Sequence, residues 1–147
     1  YGPRPHLLEL IWHEFGHAFA NDLAGAYSEE LLQRSALYIP LSKPMRNMGY
    51  TSWIDCANEH VIRAITARLS TQVFGPKQGR SALREDAERG FRYVHALSRD
   101  LVEYEQNRTI YPNFSHFYPR IVETFKALDH LQAPKPPVGE KTRPEQD

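Results

Sequence analysis

Residues 7–25 read LLELIWHEFGHAFANDLAG, and inside this run stands the pentapeptide His13-Glu14-Phe15-Gly16-His17. On an α-helix residues four apart differ by about 40° in azimuth, so the two imidazoles project from one face and can hold a single metal ion. Glu14 falls on the flank of that face, where a carboxylate can take a proton from an attacking water. Pro5 suits a first-turn position, no Pro follows before Ala24, and Gly25 suits a left-handed C-cap. These start and stop signals predict a helix of roughly 18 residues. Leu8, Ile11, Phe15, Ala18 and Phe19 recur at the helical period as one apolar stripe, with His13, Glu14 and His17 on the other side. Between Leu10 and Asn21 the only formal charge is Glu14, which predicts a helix buried in the protein rather than laid over its surface. A carboxylate in such a setting needs a reason, and a metal site supplies one.

A catalytic zinc site takes three protein ligands and keeps its fourth position open, so one more donor is required. A histidine six residues after His17 would be the metzincin arrangement, but Leu23 stands there. A glutamate on a later helix is the alternative, and residues 51–75, TSWIDCANEHVIRAITARLSTQVFG, offer Glu59. Thr51 or Ser52 can cap that helix, Ile54, Ala57, Val61, Ile65 and Leu69 give it a core stripe, and Gly75-Pro76 ends it. Glu59 lies off this stripe, with Asp55, Ile62, Arg63 and Thr66, and can face the first helix across a cleft. Cys56 and His60 are rival third ligands. Cys56 is one turn before Glu59 and lacks a deformylase-like setting, so a buried apolar thiol is the simpler role. His60 points about 100° away from Glu59 and reads as a packed or surface histidine. Glu29 and Glu30 follow Ser28 in S-E-E-L, a helix start whose acidic groups favour the dipole.

The stretch HEFGHAFANDLAG resembles the thermolysin-type pattern H-E-x-x-H-A-x-x-D-x-x-A-G, with Ala18, Ala24 and Gly25 in matching places and Asn21 where the pattern has Asp. Asn58-Glu59 resembles the "NE" that carries the glutamate ligand in gluzincins, including their aminopeptidase branch. The chain is also similar to bacterial H-E-x-x-H families whose second motif reads approximately E-x-x-x-R-A. The matches span two helices, so the likeness is to the gluzincin clan rather than to one member. It implies zinc held by His13, His17 and Glu59, with Glu14 as general base in peptide-bond hydrolysis. Two departures stand out: the interval from His17 to Glu59 is longer than in thermolysin, and Arg63 replaces an Asp that there orients a ligand histidine. Asn21, Asp22 and Asp55 are candidates to receive a ligand imidazole's free N–H. Arg63 can pair with Glu59, contact a substrate carboxylate, or form a surface i,i+4 salt bridge. Gluzincins commonly place a Tyr or His opposite the metal to stabilise the oxyanion. In the aromatic loop TIYPNFSHFYP, residues 109–119, Tyr111 is favoured for this, with His116 and Tyr118 beside it and Tyr104 just before; the alternative is a packed aromatic loop.

Residues 81–106 carry Leu83, Ala87, Phe91, Val94, Leu97 and Leu101 at helical intervals, with Ser81 as cap, and a final helix is expected from near Pro119 to Leu131. The fold class predicted is mainly α, a zincin-like catalytic subdomain of four to five helices over residues 1–132. Residues 133–147, APKPPVGEKTRPEQD, are expected to be a disordered tail. With 147 residues, 41% of them hydrophobic, the chain can bury one core. The balance of 18 basic against 18 acidic side chains points to neither nucleic acid nor an anionic membrane as partner, and no apolar run is long enough to span a bilayer. The expected partner is a peptide or protein substrate. One cysteine excludes an internal disulfide but not secretion. In gluzincins a β-sheet subdomain precedes the metal helix, whereas here that helix follows Tyr1 almost at once. The resemblance therefore implies a segment excised or processed from a larger protein, with a secreted or cell-envelope location favoured over a cytoplasmic one. Two further readings remain: an inactive metal-binding scaffold presenting a peptide groove, and a helical interaction module in which the motif is accidental.

Overall fold

The computed structural model describes residues 4–133, so the expected tail lies, but for Ala133, outside the described residues. Among these residues there are seven α-helices, one 3-10 segment and no strand. In chain order they are α1 (Pro5–Ala26), α2 (Ser28–Leu32), the 3-10 segment Ser35–Leu41, α3 (Ser42–Asn47), α4 (Trp53–Phe74), α5 (Pro76–Glu88), α6 (Val94–Gln106) and α7 (Phe114–Gln132). The fold is mainly α, with more helices than the four to five expected.

Helix α4 is the axis of the molecule. Ser52 caps it by accepting the Asp55 N–H at 3.1 Å, and Gly75 ends it at a φ of +93° that L side chains rarely adopt. From Cys56 to Ile62 every residue is buried, because α1, α5 and α6 wrap it and the core lies on its far side. That core joins Leu31, Leu37, Met45, Trp53, Phe91, Leu97, Phe117 and Phe125. Each of the larger side chains contributes about 1.5–3 kcal/mol by leaving water. Trp53 satisfies its indole N–H by donating to the Leu31 carbonyl at 2.7 Å.

Three expectations need correction. The helix expected over residues 81–106 is two helices, because Gly90 (φ +112°) turns the chain between them. The Phe91 N–H reaches the Asp86 carbonyl and the Gly90 N–H the Ala87 carbonyl, both at 3.0 Å, a Schellman ending to α5. Ser81 is therefore interior to α5, which starts at Pro76. Helix α7 begins earlier than Pro119: Asn113 caps it by accepting the His116 N–H, and Pro119 lies inside. The helix start expected at S-E-E-L is present: α2 begins at Ser28, after Tyr27 as N-cap, with Glu29 and Glu30 in its first turn.

The third correction concerns α1. It runs through Gly25 to Ala26, and only Gly16, Ala20 and Ala24 are buried. The helix expected to be buried turns most of its apolar stripe outward: Phe15 is 70% exposed, Ile11, Ala18 and Phe19 are exposed as well, and Leu8 is half-buried. The inward side is the one that carries the histidines.

Candidate metal centre

Helices α1 and α4 lie antiparallel, since Glu9 meets Ser70 at one end of the contact and Asn21 meets Asn58 at the other. Between these ends the backbones come close at Gly16, where an added Cβ would stand 3.0 Å from the Ile62 Cγ2 methyl. The bare glycine at this place in the pentapeptide lets His13 and His17 reach α4.

They reach Glu59. His13 Nε2 stands 3.1 Å from Glu59 Oε1 and His17 Nε2 stands 3.5 Å from Glu59 Oε2. One donor atom from each of the three residues lies within 4.8 Å of the others. Ligands about 2.0–2.2 Å from a tetrahedral zinc are separated by about 3.4 Å, and the separations of His13 from one Glu59 oxygen and of His17 from the other bracket that value. Glu59 is 1% exposed, and its Oε1 has no hydrogen bond. Burial raises its carboxyl pKa, but His13, Arg63 and the Tyr50 phenol outweigh burial and hold it below the ordinary carboxylate value. Two imidazoles and an ionised carboxylate form a donor set that fits zinc.

The surrounding groups orient these three. Asn21 Oδ1 lies 3.0 Å from His17 Nδ1 and also accepts from Asn58 Nδ2 at 2.7 Å. Of the candidate acceptors, Asn21 takes this place, Asp55 accepts from the Ser52 hydroxyl at the start of α4, and Asp22 is exposed. Arg63 Nε lies 3.0 Å from Glu59 Oε1, yet the N–H is not aimed at the oxygen, so the contact is Coulombic rather than a hydrogen bond. Its other branch donates to Asp86 Oδ1 at 2.6 Å, and the guanidinium lies 4.1 Å above the Phe91 ring. Arg63 is thereby committed to structure and does not form the exposed salt bridge that was one expectation. Tyr50 follows Gly49, whose φ of +93° closes α3 and returns the chain toward α4. Burial and the neighbouring Glu59 push the Tyr50 phenol above its ordinary pKa.

A cleft of about 520 Å³ opens beside the cluster between α1, α4 and α5, lined by His13, Glu14, Arg63, Thr66, Ala82 and Arg89 among others. Glu14 is exposed there and has no hydrogen bond or ion pair among the described residues. The rival ligands are elsewhere. Cys56 is buried, and desolvation with the charges of Glu59 and Asp55 pushes its thiol up to about 12. His60 is sealed between Phe91 and Tyr93, with Nδ1 on the Cys56 carbonyl at 2.7 Å, and burial lowers its pKa to about 4.

Tyr111 is not brought to the cleft, which corrects its expected place opposite the metal. Its hydroxyl donates to Glu103 on α6 at 2.9 Å and its ring stands edge-on to Phe117. The aromatics of 104–118 pack on one another rather than around the cluster: Tyr104 and Phe114 both meet Phe117, Tyr118 is fully buried, and His116 binds its own cap residue Asn113. Sequence reading missed Tyr50 and Asp86. Gly49 marks the turn that delivers Tyr50, whereas no local signal pairs Asp86 with Arg63.

No helix among the described residues is long and apolar enough to cross a membrane. No curated protein and no solved structure matches the chain. The family model described as a domain of unknown function (DUF4932) matches residues 1–124, and the chain belongs to that family.

Proposed function

We propose that the protein is a zinc-dependent peptidase of gluzincin type. The observation that carries this reading is the convergence of His13 Nε2, His17 Nε2 and the buried Glu59 carboxylate within 4.8 Å, beside an open cleft. Zinc bound by these three residues would supply Lewis acidity, which lowers the pKa of water and polarises a peptide carbonyl. Glu14, exposed on the cleft wall next to His13, takes a proton from water as its oxygen adds to the carbonyl carbon. When the C–N bond breaks, Glu14 gives that proton to the leaving amine. Asn21 holds the His17 ring, and Arg63 holds the charge of Glu59 in place. One observation favours a second reading, a metal-binding scaffold without turnover: the expected oxyanion donor Tyr111 does not line the cleft.

Metal analysis of the purified protein tests the first step. About one zinc per chain is expected, absent from His13→Ala and His17→Ala, strongly weakened in Glu59→Ala and unchanged in Cys56→Ser. Undiminished zinc in either histidine variant sinks the assignment. Glu14→Gln should retain zinc while hydrolysis of a broad peptide library falls roughly 10²-fold or more. Equal turnover in that variant overturns the mechanism, and zinc binding without turnover in the wild type selects the scaffold.

A further inference from the structure

Glu9 lies one helical turn before His13, on the same face of α1, and lines the same cleft. Its side chain is 17% exposed, and among the described residues neither Lys nor Arg pairs with it. Two neutral donors converge on one of its oxygens: the Ser70 hydroxyl reaches Oε1 at 2.7 Å and the Gln78 amide at 3.1 Å. The second oxygen, Oε2, has only His6 Nδ1 at 3.6 Å, beyond hydrogen-bonding reach, and the His6 side chain is itself 84% exposed. Bracing α1 against α4 and α5 needs an acceptor but no charge, because a glutamine carbonyl would take the same two hydrogen bonds. A largely buried carboxylate without a cation is costly unless something completes it.

We infer that Glu9 is a specificity residue that binds a cationic group of the substrate, an ammonium or a guanidinium, in the cleft beside the metal cluster; this rests on the peptidase reading. The spacing suits it. The four residues from Glu9 to His13 rise about 6 Å along α1, and an extended peptide advances about 3.3–3.6 Å per residue, so a carbonyl held at the cluster places a group one to two residues away near Glu9. The rest of the cleft leaves this place open to a cation. Arg63 is taken up by Glu59 and Asp86, and Glu85, facing the cleft from α5, adds negative charge. Arg89 follows the last residue of α5, whereas Gln78, which binds Glu9, belongs to its first turn; the basic group is thus at the opposite end from Glu9.

Two pairs of hydroxamates, which chelate zinc without being hydrolysed, read this recognition apart from catalysis. N-acetyl-lysine hydroxamate against N-acetyl-norleucine hydroxamate probes a side-chain cation, and leucine hydroxamate against N-acetyl-leucine hydroxamate probes an N-terminal ammonium. With zinc-loaded wild type, calorimetry should show the cationic member of one pair binding roughly 10- to 100-fold tighter, the range of a charged hydrogen bond. The pair that shows it identifies the source of the cation. In Glu9→Gln that preference should vanish, while zinc affinity and the affinity for the neutral members stay at wild-type values, which a purely bracing role does not predict. Equal affinities within both pairs in the wild type, or a preference that survives Glu9→Gln, overturn the inference and leave the metal centre standing. A wild type that binds no zinc overturns both.

Discussion

The two nitrogens of His17 do different work. Nδ1 faces Asn21 Oδ1, which also accepts the Asn58 amide, so the tautomer with its proton on Nδ1 is the one that completes this hydrogen bond. Nε2 is then the bare nitrogen, and it is the one turned toward Glu59. Asn21→Ala removes the acceptor of both the His17 ring and the buried Asn58 amide, so stability should fall by about 1–3 kcal/mol and zinc affinity roughly 10- to 100-fold. Asn21→Asp keeps the acceptor and should bind at least as tightly as wild type. Competition against a chelating dye measures both, and wild-type affinity in Asn21→Ala removes the asparagine from the site. The link from His17 to Asn21 is legible in the sequence because both lie on one helix, four apart. The link from Asn21 to Asn58 is not, since it depends on how α1 and α4 are paired. The same difference explains why Glu59 could be picked from its helix position and Tyr50 could not: helical spacing fixes the first, and the path of a turn fixes the second.

Among the elements, α1 shows what periodicity settles and what it leaves open. Spacing separates the apolar stripe from the histidines, but it does not say which of the two faces inward. In α1 the polar face docks, because its partner is a buried carboxylate and the contact is closed by Gly16. The expected 81–106 helix failed for a related reason. Leu83 and Ala87 in α5 and Val94, Leu97 and Leu101 in α6 pack into one core, so the apolar rhythm continues through the Gly90 turn. Gly16→Ala tests the close approach. Alanine gains about 1 kcal/mol of helix propensity, but its methyl meets Ile62 at 3.0 Å, and overpacking of this kind costs about 1–3 kcal/mol. The variant should fold with stability near wild type and bind zinc more weakly, because α1 is lifted from α4. The double variant Gly16→Ala, Ile62→Ala should recover zinc affinity relative to Gly16→Ala alone, a coupling expected of groups in contact. Independent, additive effects of the two changes would show that the helices are not held apart at this point.

Over the whole molecule, apolar burial is unevenly shared. Helix α4 carries seven consecutive buried residues and faces a core of phenylalanines, leucines and Trp53, whereas α1 buries one glycine and two alanines. Those three contribute on the order of 1–2 kcal/mol, less than a single buried phenylalanine at the upper end of its range. Beside the half-buried Leu23 on the core and the ring contacts of Trp12 with Phe74 and Phe19 with Phe114, α1 is held by polar contacts: Glu9 to Ser70 and Gln78, Asn21 to Asn58, and the histidines to Glu59. A ligand that needs ligating groups from both α1 and α4 binds only when α1 is docked, so it stabilises the docked state by mass action, by about 4 kcal/mol when present at a thousand times its Kd. In the metal-free protein, α1 amides should exchange with deuterium faster than those of residues 56–62, as expected of a helix with few buried apolar contacts. Saturating zinc should slow α1 by roughly 10²- to 10³-fold, the same mass-action term, and leave α6 and α7 nearly unchanged. His17→Ala should abolish the response without altering exchange in α6 or α7. Protection of α1 equal to that of α4 before zinc is added, or no slowing on addition, would mean that the cluster does not tie the two helices together.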